Sequence, residues 1–80
     1  MTIVPKTATT ARNRKALRSL ARKGKASSRV IGTTATGFAI GVQVANVVRV
    51  VSDRFARQWQ AMRWASGKLN TTPRKLLKAA

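Results

Sequence analysis

The chain has 80 residues, of which 17 are Lys or Arg and one, Asp53, is acidic, for a formal net charge of +16. It has no cysteine and no histidine, which excludes disulfides, thiolate metal sites and imidazole acid–base chemistry. A hard-cation site or a tuned carboxylate pair needs more than one acid, so no metal, no cofactor and no enzymatic activity are expected.

A chain this short buries a small fraction of its surface, and its stability rests on helix packing, oligomerisation or a partner. Its charge repels itself strongly. The counter-charge is expected from outside, from nucleic acid or anionic lipid.

The first zone, residues 1–29, holds nine basic residues and no acid. Residues 1–10 are Thr-rich, contain Pro5 and read as an extended arm. From Ala11 to Lys25 the composition favours a short basic helix over about 11–24, with Thr9 or Thr10 as cap and Gly24 as stop. Its apolar residues Ala16, Leu17, Leu20 and Ala21 form one narrow stripe. Arg12, Arg14, Lys15, Arg18, Arg22 and Lys23 cover the rest, and with Lys25 they are the expected polyanion contacts. An acid-free stretch rich in Arg and Ser also fits an organelle transit peptide. Against that, the second half of the chain is just as basic.

The second zone, residues 30–66, begins with 19 consecutive uncharged residues, Val30–Val48. Length alone makes these a candidate membrane span. Three Gly, three Thr, Gln43 and Asn46 weaken it, and basic flanks at both ends oppose insertion. Phe38, Ile40, Val42 and Val44 alternate with smaller or polar residues, which is a strand signal. A wider pattern competes with it: Ile40, Val44, Val47, Val51, Phe55, Trp59 and Met62 recur at spacings of three or four. That pattern predicts one long central helix over about 36–66, with these residues on its packing face. Gly37 and Gly41 form a small-xxx-small pair through which two helices could approach closely. Within Arg54–Trp64, arginines alternate with Phe55, Trp59 and Trp64, a composition suited to stacking on bases, to a lipid interface or to a core. Phe55 and Trp59 are in phase with the packing stripe. Trp64 is out of phase and, with Arg63, is the expected interface anchor.

The third zone, residues 67–80, is a linker followed by a basic tail. Proline at 73 predicts a short helix over about 73–80, in which Arg74, Lys75 and Lys78 add to the polyanion contacts.

These elements predict an all-α chain with little independent core. The functional expectation is a non-enzymatic structural protein that packs through its central helix into a larger assembly, self-associating or docked on other subunits. Its basic tails neutralise nucleic acid, as in a virion or capsid component or another nucleoprotein particle. One alternative is a small membrane-associated subunit with a marginal spanning or interfacial helix at 30–51, in a bacterial inner, virion-internal or organelle membrane. A second is a membrane-active cationic peptide or holin.

Overall fold

The structure, a computed structural model, describes residues 2–33 and 36–76. In chain order the elements are β1 (Thr2–Val4), a 3-10 turn (Lys6–Ala8), α1 (Ala11–Arg22), β2 (Ser27–Thr33), β3 (Gly37–Val44), β4 (Val47–Val50), α2 (Gln58–Leu69) and β5 (Arg74–Leu76). This is an α+β fold, and the all-α expectation is overturned.

The long helix over 36–66 is replaced by β3, β4 and the shorter α2. Ile and Val are dense from Val30 to Val51 and Leu is absent there. Such side chains restrict χ1 against a helical turn but pack well on a pleated surface. The chain also reverses at Ala45-Asn46, between the paired residues Val44 and Val47, with Ala45 at φ 54°. A reversal there separates residues that the helical reading had kept in phase. The expected helix over 73–80 is corrected as well: Arg74–Leu76 form strand β5, and residues 77–80 lie outside the described residues.

The strand order is β1-β4-β3-β2-β5. Strands β2, β3 and β4 form an antiparallel meander, while β1 joins β4 and β5 joins β2 in parallel. The end of β4 is bulged, because the N–H groups of Val51 and Ser52 both donate to the Ile40 carbonyl, at 2.9 and 3.3 Å. Two residues then oppose one and the strand bends. Pairing resumes where Phe38 and Phe55 exchange backbone hydrogen bonds of 2.7 and 2.6 Å.

Both helices lie on one face of the sheet. Val30, Phe38, Ile40, Val42 and Val51 from the sheet pack with Leu17 and Ala21 of α1 and with Ala61, Ala65 and Leu69 of α2. The expectation of little independent core is therefore corrected. The alternation that carries this core is the period of two in β3, with Phe38, Ile40 and Val42 turned to the helices.

Helix α1 is closed at both ends. The Thr10 hydroxyl accepts from the Asn13 N–H at 3.2 Å, which satisfies one of the free N-terminal donors. At the C-terminus, Lys25 N–H donates to the Leu20 carbonyl and Gly24 N–H to Ala21, the paired bonds of a Schellman ending.

The reverse face of the sheet has a smaller apolar set. Ile31, Ala39 and Val48 are buried there, around Gly41. Between this face and the segment after β1 lies a depression of about 630 Å³ lined by Ile3, Pro5, Ile31, Ala39 and Val50, with Lys6, Asp53 and Arg54 at its margin.

Candidate polyanion-binding surface

The buried stripe of α1 fixes where its cations point. With Leu17 and Ala21 held in the core, Arg12, Lys15, Arg22 and Lys23 fall on the opposite side, within about 100° of the helix circumference. All four are exposed, as is Lys25 just beyond the helix. Arg18 is half-buried at the edge of the stripe. Arg14 is also half-buried and is engaged elsewhere, its guanidinium donating to the carbonyls of Lys6 (3.1 Å) and Thr9. It ties the 3-10 turn to α1.

Helix α2 presents its outer side on the same layer. Ala61, Ala65 and Leu69 are buried, while Trp59, Arg63, Ser66 and Gly67 are exposed. Its start is set by the Gln60 side chain, whose oxygen accepts from the Arg57 N–H at 3.0 Å. Arg57 and Lys68 are exposed at the two ends of the helix. Because α1 and α2 share one face of the sheet, their outward sides form one surface. It carries cations and an exposed indole.

The only acid is kept off this surface. Asp53 borders the depression on the reverse face and is ion-paired with Lys6. The hydrogen bond and charge of Lys6 hold the Asp53 carboxyl below its ordinary value, with a smaller contribution from Arg14. Its negative charge is thus offset locally, and the helix layer has no acid of its own.

The remaining expected residues are dispersed. Gly37, Ile40, Gly41 and Val44 lie in β3, Val47 in β4 and Val51 at the bulge, while Phe55 bridges to Phe38. No long helix carries these residues together with Trp59 and Met62. Gly37 and Gly41, spaced for a helix contact, lie instead in one strand. Trp59 is 58% exposed, whereas Phe55, Met62 and Trp64 pack against the core. The stripe that placed Trp59 inside depended on a helix running back to Ile40. A helix that begins at Gln58 takes its phase from Ala61 and Ala65, which puts Trp59 outside and Trp64 against the core. Arg63 is exposed, so the two residues of the expected interface anchor face different ways. Arg74 is exposed on the edge strand β5, Lys75 pairs with Val30 in register, and Lys78 lies outside the described residues.

The structure removes one argument made from sequence. The expectation of a shell component or membrane subunit rests on a long apolar helix in need of a partner. The described residues of 30–51 instead lie mainly in β2, β3 and β4, and most of their apolar side chains, though not Val44, fill the core or the reverse face. No helix among the described residues is long and apolar enough to cross a membrane. The reading as a helical, membrane-associated or capsid protein therefore loses the element on which it rested.

No family model, curated protein or solved structure matches the chain.

Proposed function

We propose that the protein is a non-enzymatic nucleic-acid-binding module whose helix layer neutralises phosphate. The observation that carries this reading is the exposed stripe of Arg12, Lys15, Arg22 and Lys23, opposite a buried Leu17 and Ala21 and free of acids. Four cations carried on one side of a capped helix meet a phosphate backbone with their main chain already ordered, so less backbone entropy is lost on binding. Arg63 and Lys25 extend the same field. A positively charged surface of this kind gives affinity and fast association but reads no sequence. On this reading the chain works as part of a nucleoprotein complex, through phosphate contacts that are salt-sensitive and tolerant of sequence.

The test is the affinity for a short labelled duplex, measured by fluorescence anisotropy across a salt series. Replacing Arg12, Lys15, Arg22 and Lys23 with Gln is expected to weaken binding and to flatten the slope of log K against log salt by about 0.9 for each cation that meets a phosphate. All four side chains are exposed, so the circular dichroism and melting of the variant should resemble the parent. An unchanged slope in a folded variant rejects the assignment of this stripe.

A further inference from the structure

We infer that Trp59 is a stacking platform for an unpaired base, with Arg63 beside it on the neighbouring phosphate. The class of ligand is therefore single-stranded or looped nucleic acid. This rests on the phosphate-binding reading of the helix layer and narrows it.

Three aromatic residues compete for the role in Arg54–Trp64, and the fold separates them. Phe55 and Trp64 pack against the core. Trp59 alone of the three is left open to solvent, at 58% exposure. It occupies the first turn of α2, and Arg63 is four residues on, so the two are neighbours on one exposed side of the helix. Leaving so large an apolar group in water is unfavourable unless something covers it. Its surroundings indicate what does. The exposed charged residues of its own helix and cap, Arg57, Arg63 and Lys68, are all cationic, so the covering group carries negative charge as well as a flat apolar face.

A nucleobase joined to its phosphate has both. The base stacks on the indole while Arg63 or Arg57 meets the backbone, a combination used where strands are bound without sequence preference. A base inside a duplex has both faces covered by its neighbours and offers no free face to the indole. A lipid interface fits less well. Immersion of an amphipathic helix requires an apolar side with several large residues, and among the described residues the only strongly exposed large hydrophobic side chain apart from Trp59 is Val44, at the β3–β4 turn.

The experiment compares four probes by tryptophan emission and affinity: an oligothymidylate of about 12 nucleotides, within the usual range of single-strand site sizes, a duplex of similar charge, heparin, and anionic phospholipid vesicles. Oligothymidylate is expected to quench the emission, whereas duplex and heparin bind with little quenching. Trp59→Ala should weaken oligothymidylate binding about tenfold, the loss expected for one stacked base. Its affinity for duplex and heparin and its salt slope should stay unchanged, and Trp59→Phe should recover most of the loss. Equal losses on all three polyanions, or no loss on oligothymidylate, would overturn the stacking role while leaving the cationic surface intact. A blue shift on vesicles without quenching by oligothymidylate would assign Trp59 to a lipid interface instead. Failure of the parent chain to bind any of the three polyanions would overturn both proposals.

Discussion

At Gly41 the sheet tolerates no side chain. A Cβ there would sit 2.5 Å from Cγ1 of Val48 and 2.8 Å from Cδ1 of Ile31, and both of those residues are buried. Gly41→Ala is therefore expected to destabilise the fold by about 1–3 kcal/mol, the usual cost of overpacking. Denaturant titration measures it. Because the closer of the two clashes is with a Val48 methyl, Val48→Ala combined with Gly41→Ala should cost less than the sum of the two. Additive losses would show that Val48 is not what Gly41 makes room for. Nothing in the sequence distinguishes this glycine from a helix-contact glycine, since the spacing of Gly37 and Gly41 suits both. What separates them is the register that sets Gly41 opposite Val50, with Val48 two residues away on the same face. Trp59 and Trp64 teach the same lesson. Which indole is buried follows from where the helix starts, and the first turn at Gln58 has no strong cap in its sequence to announce it.

Among the elements, α1 is the most legible. Its cap, its stop and its apolar stripe are all local features, and of the stripe Ala16, Leu17, Leu20 and Ala21 the core receives the last three while Ala16 is exposed. The strands were harder to read because the alternation from Phe38 to Val44 and the longer three-and-four spacing from Ile40 to Met62 describe the same residues. The turn at Ala45-Asn46 decides between them, and Ala45 is an unexpected residue to find at positive φ. A second element-level feature is the tether of the N-terminal segment, made by Lys6 on Asp53 and by Arg14 on the carbonyls of Lys6 and Thr9. Asp53 has its pKa lowered in the folded state, so its contribution is present above the ordinary value and is lost as pH falls through the lowered one. With no histidine and no other acidic side chain, no other side chain titrates in that range. The melting temperature should thus be flat from about pH 5 to 8 and decline only in stronger acid. Asp53→Asn should remove most of the decline. A midpoint that changes between pH 5 and 8, or an acid limb that survives in Asp53→Asn, would show that this tether is not what titrates.

For the molecule as a whole, charge and topology are separable. A net charge of +16 is legible from composition and bears on partners rather than on fold, which is why the expectation of a polyanion partner does not depend on the all-α prediction. The segregation of charge is not legible from composition. It requires both helices on one face of the sheet and the single acid bound to Lys6 at the other. The candidate surface was thus half readable: α1 supplied its cations from sequence, whereas α2 joined them only through tertiary packing.

The strand order has a consequence for the route by which the chain folds. Strands β2, β3 and β4 follow one another closely along the chain, so their pairing closes small loops. Strands β1 and β5 join only across long stretches of chain, Ile3 beside Val48 and Arg74 beside Arg29. Loop-closure entropy rises with that separation and slows non-local pairing. The meander should form early with the helices closing over it, and the two outer strands should zip on last and open first. Native-state hydrogen exchange reads this directly. Amides of β3 should be the slowest to exchange, and those of β1 and β5 should exchange through openings that leave β3 protected. Loss of protection in all five strands together would instead mean that the sheet opens as one cooperative unit.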